Sequence, residues 1–219
     1  PLADGIAEAT RAGQIFKFFA GEAVRIEGTA IASVRPGVEV NVMREPVGVI
    51  GLITPWNFPI AIPAWKTAPA LAAGNAVVLK PAELVPASAH AIVEILSRHG
   101  LPKGVVNLVM GKGSVVGQAM LNSPLVNAVS FTGSVGTGAR VAEACVKRGA
   151  KFQLEMGGKN PALVLDDADL KVAVAACLNS AFFQTGQRCT ASSRFIVTKG
   201  IHDAFVSEMV KAMQTLKVD

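Results

Sequence analysis

One feature of the chain limits its architecture more than any other. From residue 47 onward, short apolar runs alternate with helix-like stretches, most of which stop at a glycine. The runs are "VGVIGLIT" (47–54), "NAVVLK" (75–80), "GVVNLVM" (104–110), "VNAVSF" (126–131) and "KFQLEM" (151–156). Between them, helices are expected over Pro63–Ala73 (ending at Gly74), Pro86–His99 (ending at Gly100), Ser114–Leu121 and Val135–Arg148 (ending at Gly149). Continuous apolar strands separated by helices call for an α/β fold with a parallel sheet covered on both faces. Right-handed crossovers then bring all strand C-termini to one edge. "TPWN", "KPAE", "MGKG" and "FTGS" all fall on that edge. Four polar or glycine-rich loops on one rim make a nucleotide site the leading expectation.

The flanks read differently. Residues 3–26 form an amphipathic pattern with Ile15, Phe16, Phe19 and Ala23 at helical spacing. Residues 31–54 are rich in β-branched residues and broken by Pro36-Gly37 and Pro46, which predicts a hairpin or extended arm before a buried strand at Val47–Thr54. Beyond Gly158 a strand in "NPALVLDDADL" (160–170) leads into an Asp-capped helix, Leu170–Phe183. A strand at 194–198 and a helix at Asp203–Leu216 follow, the helix with Phe205, Met209, Ala212 and Leu216 on one face. The expected organisation is a helical part (1–28), a hairpin (29–46), the parallel-sheet domain (47–157) and the start of a second α/β domain (158–219).

Half of the 219 residues are apolar and 17% are charged, which excludes disorder. The apolar blocks are interrupted by Gly and Pro, so no membrane span is expected. The net charge of +5 is scattered, without a basic stripe interleaved with aromatics, and nucleic acid is not an expected partner. The surplus suits an anionic cofactor or substrate. Three widely spaced cysteines make neither a disulfide framework nor a zinc site; they suggest a reducing compartment and a cytoplasmic location. The chain starts at Pro1 without Met and stops after a helix-like segment, which suggests a piece of something longer.

Several residues carry possible chemistry. "GKGSVVG" (Gly111, Gly113, Gly117) is one residue longer than the dinucleotide fingerprint, and "GSVGTG" (Gly133, Gly136, Gly138) has its spacing reversed. Both lie in strand-to-helix turns, where amides can meet a phosphate; ordinary tight turns explain the glycines equally well. Lys80, at a strand end, could bond ribose hydroxyls or phosphate. Glu83 suits the 2′- and 3′-hydroxyls of a ribose and would repel a 2′-phosphate; the alternative is a solvated ion pair. Cys145 and Cys177 have small apolar neighbours and read as core residues. Cys189, in "GQRCTASSR", has polar ones, and Arg188 could help hold its thiolate. Glu155, between Leu154 and Met156, is a candidate for a raised pKa and so for a general base, or else a buried partner of a lysine. Asn57, clamped in "PWNFP", could donate to an oxyanion or simply shape a turn. The three histidines, His90, His99 and His202, read as surface residues on helices or their ends.

"PWNFP", "LKPAE", "FTGS", "LEMGGKNP" and "GQRCTA" occur in the order and near the spacing of the NAD(P)-dependent aldehyde dehydrogenase superfamily, which the whole chain resembles. The 34 residues from Glu155 to Cys189 match the family pattern. The resemblance implies a Rossmann-like cofactor domain that binds its dinucleotide without the usual fingerprint, followed by the start of an α/β catalytic domain. It implies NAD or NADP, with Glu83 favouring NAD. In this reading Cys189 is the nucleophile, Asn57 and the Cys189 backbone N–H hold the oxyanion, Glu155 activates water against a thioester, and Lys80 completes the catalytic set. Thr54, Pro55, Trp56, Asn57, Lys80, Glu83, Gly113, Gly117, Phe131, Gly133, Ser134, Glu155 and Gly157 would surround the cofactor. The wording around the motifs resembles semialdehyde dehydrogenases of bacterial sugar-acid catabolism. That implies a dicarboxylic semialdehyde such as 2-oxoglutarate semialdehyde or succinate semialdehyde as substrate. Residues 29–46 match the family's oligomerisation hairpin, implying a homodimer or homotetramer.

Length is the departure, since family members are about twice as long. A later glutamate and phenylalanine that grip the nicotinamide ribose would lie beyond Asp219, so the 219-residue span alone is expected to be inactive. Three rivals remain: a CoA-acylating semialdehyde dehydrogenase, against which Glu155 argues; a cysteine hydrolase or thioesterase; and a non-catalytic relative.

Overall fold

A computed structural model of the protein describes residues 2–217. Pro1, Val218 and Asp219, the outermost residues of the expected first and last segments, lie outside the described residues. The chain divides into two compact units, Leu2–Glu155 and a second beginning at Met156.

The first unit opens with helix α1 (Leu2–Ala23) and an antiparallel hairpin, β1 (Thr29–Ala32) with β2 (Glu39–Val42). Ala12 and Ile15 are buried on α1, with Phe16 and Phe19 half-buried beside them; Ala23, expected on that stripe, is exposed. Every residue of the hairpin strands is exposed, including Ile31, Val40 and Val42.

The alternating segment then folds as its pattern predicts. β3 (Val49–Ile53), α2 (Ala61–Ala72), β4 (Ala76–Lys80), α3 (Pro86–Arg98), β5 (Val106–Leu108), α4 (Gln118–Asn122), β6 (Ala128–Gly133), α5 (Val135–Lys147) and β7 (Lys151–Met156) follow in order. The sheet order is β5-β4-β3-β6-β7, and the pairings among β3, β4, β5 and β6 are parallel. The chain starts at the central strand, moves out to β5, then crosses back to β6. That reversal puts a topological switch point between the C-terminal ends of β3 and β6, where open α/β sheets bind ligands.

The register explains why these strands are apolar throughout. Ile50 and Leu52 share one face with Val77 and Leu79, and pack there with Ala70 of α2 and Ala89 of α3. On the other face Val129 and Phe131, with Val49 and Ile53 beside them, pack against Val141 and Cys145 of α5 and Leu121 of α4. Residues of β3, β4 and β6 have a core on both sides of the sheet, so an alternating polar pattern there would bury polar groups.

One element departs from the sequence-based expectation. Ser114–Leu121 is not a single α-helix: Gly113–Gly117 form a π turn that passes into α4. A π turn takes up more residues than an α turn. The glycine loop that is one residue too long for the fingerprint therefore still enters a helix.

The second unit contains β8 (Asn160–Val164), α6 (Leu170–Phe182), β9 (Ser192–Val197) and α7 (His202–Met213). β8 and β9 pair in parallel. Val164, Val174, Cys177, Ile201, Phe205 and Met209 form its core. Leu216, expected on the α7 stripe, lies past the end of that helix and is exposed. Among the described residues no helix is long and apolar enough to cross a membrane.

Candidate active site

The rim of the sheet gathers most of the expected cofactor residues. Ile53 pairs with Lys80 on one side and with Phe131 on the other, so β3 and β4 end level and β6 runs two residues further, to Gly133. Thr54 continues β3, its N–H donating to Lys80 O at 3.1 Å. It is buried, and its Oγ1 is enclosed without a protein partner. Thr132, one residue past Phe131, has an Oγ1 in the same condition. An enclosed hydroxyl without a partner is uncommon in folded proteins; Thr67 on α2 carries one as well.

Lys80 is buried at the end of β4, so the alternative of a solvated pair with Glu83 does not hold, although Glu83 itself is exposed. The Lys80 ammonium donates to Pro81 O at 2.8 Å. Burial lowers its pKa, and the Glu83 carboxylate opposes that shift. Gly133 ends β6 against the ring of Phe131; a Cβ there would stand 2.6 Å from the ring. Phe131 is a core residue beneath the rim. Ser134 is the N-cap of α5, accepting from Thr137 N at 3.4 Å. Gly113 opens the π turn and is exposed, whereas Gly117 is buried within it. Trp56 is exposed on the turn after Thr54, and Pro55 and Asn57 are half-buried there. A lysine at the strand end and the N-terminal amides of α5 fit a polar, phosphorylated ligand such as a dinucleotide.

The turn that carries Asn57 is anchored from a distance. α2 has no side-chain cap of its own. Glu8 of α1 supplies one: its Oε1 accepts from Ile60 N at 2.6 Å and from Ala61 N at 2.8 Å. A carboxylate on the amide end of a helix satisfies orphan donors and complements the dipole.

Glu155 sits near the end of β7 and is exposed, not enclosed by its apolar neighbours as the sequence suggested. β7 is an edge strand of the sheet, so Leu154 and Met156 do not close over it. It is tethered instead. Gln153 Nε2 donates to Glu155 Oε1 at 2.8 Å, and Gln153 Oε1 accepts from Lys66 Nζ at 3.1 Å. Lys66 Nζ also donates to Ser130 Oγ at 2.6 Å, and Ser130 in turn donates to Gln153. Lys66 is buried on α2. Desolvation pulls its pKa down to about 8, against the opposing pull of the Glu155 charge. The sequence reading missed Lys66, Ser130, Gln153 and Glu8. A single cation in the apolar run "AIPAWKTAPALAA" was the available signal for Lys66.

The three cysteines differ in their surroundings. Cys145 (first unit) and Cys177 (second unit) are buried in cores and their thiols are pushed up by burial; Cys189 is exposed. Asp169 caps α6 by accepting from Val172 N at 3.0 Å. After Phe183 the chain turns sharply: Gln184, Thr185 and Gly186 have φ of 53°, 55° and 68°. Left-handed conformations cost about 1–3 kcal/mol at a non-glycine residue, so the surroundings must hold this loop. At Gly186 a Cβ would also stand 2.8 Å from Ala181 O, so glycine is required. Arg188 bonds the end of α6. Its Nη2 donates to Asn179 O at 2.7 Å and Ser180 O at 3.2 Å, and its guanidinium lies 5.1 Å from the centre of the Phe183 ring. It adds a second donor to Asn179 O, which also accepts from Phe183 N–H, at the C-terminal end of α6. Gly157, exposed with open space around it, directly follows β7.

The model of the aldehyde dehydrogenase family matches residues 1–219. The chain belongs to the aldehyde dehydrogenase family. It is 46% identical over 217 residues to the alpha-ketoglutaric semialdehyde dehydrogenase of Bacillus subtilis, covering 99% of this chain and 44% of that one. It is 43% identical over 219 residues to the 2,5-dioxopentanoate dehydrogenase of Saccharolobus solfataricus, covering 99% and 46%. A betaine aldehyde dehydrogenase of Staphylococcus aureus, solved as a point mutant with NAD+, superposes with a TM-score of 0.96 at 39% identity, covering 99% and 44%. The chain thus spans under half the length of these aldehyde dehydrogenases.

Proposed function

We propose that the protein carrying this chain oxidises an aldehyde to a carboxylic acid with NAD(P)+, through covalent attachment to Cys189. Family membership supports the reaction class. The observation that carries the cysteine assignment is the contrast among the thiols: Cys145 and Cys177 are core residues, while Cys189 is exposed on a strained loop.

In this mechanism the Cys189 thiolate attacks the aldehyde carbon, and the new alkoxide takes hydrogen bonds from the Asn57 side chain and the Cys189 N–H. Bound NAD(P)+ supplies the hydride acceptor. A thioester on Cys189 remains, and Glu155, oriented by Gln153, takes a proton from the water that hydrolyses it. Thr54, Thr132, Lys80 and Glu83 would hold the dinucleotide at the β3/β6 switch point. The exposed Glu83 favours NAD over NADP, because a carboxylate repels a 2′-phosphate. The two semialdehyde-dehydrogenase relatives support a dicarboxylic semialdehyde, foremost 2-oxoglutarate semialdehyde, as substrate. Exposed Ile31, Val40 and Val42 on the hairpin support assembly into a homodimer or homotetramer through it.

The test is NAD(P)H absorbance on adding aldehyde to the intact protein, with a panel of semialdehydes against NAD and NADP. No reduction with any aldehyde sinks the reading. Acyl-CoA as the obligatory product would show a CoA-acylating enzyme instead. Glu155→Gln should release one burst of NADH and then stall as the thioester.

A further inference from the structure

The "GGKNP" stretch contains an asparagine to which the mechanism gives no part. Asn160 is the first residue of β8, and its side-chain Nδ2 donates to two carbonyls of the cysteine loop: Cys189 O at 2.6 Å and Ala191 O at 3.2 Å. Asn160 pairs with Ser192 but Pro161 pairs with Arg194, so the register slips by one residue on β9 at this point. Pro161 has no N–H to donate, and a bulge in the partner strand is the usual accommodation. The ladder begins at Asn160 and Ser192, and the Asn160 amide bonds the loop carbonyls that lie before it. The other end of the loop is held separately, by Arg188 on the α6 carbonyls. A backbone bond from Ala191 N to Arg188 O, at 3.0 Å, closes the turn around Cys189.

We propose that Asn160 is a positioning residue for Cys189: its one side-chain amide ties the carbonyl of the cysteine and that of Ala191, two residues on, and so fixes the peptide unit attached to the thiol-bearing Cα. This rests on Cys189 being the nucleophile. Asn160 touches neither substrate nor cofactor in this role. It acts on the step that forms and oxidises the cysteine adduct, and leaves dinucleotide affinity alone.

The experiment uses the intact protein with a semialdehyde that the wild type oxidises. Asn160→Asp keeps the shape but replaces the donor by an acceptor facing two carbonyls; Asn160→Ser retains one shorter donor. First-turnover NADH formation is followed by stopped flow, NAD binding by fluorescence and folding by thermal denaturation. The expected result is a first-turnover rate lowered roughly 10- to 100-fold in Asn160→Asp and less in Asn160→Ser, with NAD affinity unchanged, the size of effect that a misplaced reacting group produces. A wild-type first-turnover rate in either folded variant overturns the proposal. So does a loss of NAD affinity in parallel with rate, which marks general disruption. If Asn160→Asp does not fold, Asn160→Ser decides by the same criteria. Wild type and Cys189→Ala are the controls. A wild type without NADH formation, or a Cys189→Ala that retains it, sinks the dehydrogenase or nucleophile reading, whereas normal kinetics in the Asn160 variants sink only the clamp.

Discussion

Two loops carry the candidate chemistry, and they are held in opposite ways. The Asn57 turn runs from a central parallel strand into a helix whose amide end is capped by Glu8. Regular structure on both sides sets its place. The Cys189 loop has three successive left-handed residues and is held by side chains, Arg188 at one end and Asn160 at the other. A turn between regular elements inherits its geometry from the fold. A strained loop needs specific partners, and damage to them should fall on function before it falls on global stability.

The largest expected effect separates the cysteines. Cys189→Ala should abolish even the first burst of NADH, while Cys145→Ala should keep turnover and lose about 1 kcal/mol of stability from the core. A full-sized burst in Cys189→Ala would end the nucleophile assignment.

The sheet side should show its strength through pH. The folded pKa of Lys66, about 8, lies below its ordinary 10.5. Between those values the unfolded chain holds a proton that the folded chain has shed, so stability rises with pH across the window. The contribution, about 3 kcal/mol, is complete above 10.5 and is lost as pH falls through about 8. Lys66→Met should flatten that rise in denaturant titrations taken from pH 7 to 11; an unchanged slope would show that Lys66 is not the group responsible.

Glu8→Ala removes a carboxylate from two backbone donors and should cost about 2 kcal/mol in chemical denaturation. If the Asn57 turn takes its place from α2, kcat falls as well. A variant that loses stability but keeps kcat would show the turn to be self-supporting.

The smallest expected effect belongs to Arg188→Met. Loss of the bonds to the end of α6 and a contact with Phe183 should lower stability by about 1 kcal/mol. Against that small change, first-turnover NADH formation should slow by more than the stability loss predicts. A rate unaffected by Arg188→Met would place the loop's support in Asn160 alone.

Much of the sheet was legible because hydrophobic periodicity reports burial directly. The strands and helices of the first unit follow the pattern to within a few residues, and the rim loops lie where right-handed crossovers put them. Cys145 and Cys177 were readable as core residues from their small apolar neighbours. Asn57, Glu155 and Cys189 stood out by residue type and by their spacing in family motifs. What could not be read is pairing between distant residues. Lys66 meets Ser130 and Gln153, 64 and 87 positions away, only because α2 covers the face on which those strand residues lie. Glu8 reaches α2 across 52 positions. Arg188, adjacent to the cysteine in sequence, turns away to the helix end, and neighbours in a chain need not face the same way.

The residue pattern by itself determined an α/β parallel sheet, one loaded rim and a cysteine unlike the other two, because these follow from local periodicity and side-chain chemistry. The tertiary structure decided what holds each group: the buried lysine behind Glu155, the distant cap beneath Asn57 and the amide clamped on the Cys189 loop. Those depend on register and packing, since a hydrogen bond requires two groups within about 3 Å, and sequence distance says nothing about that.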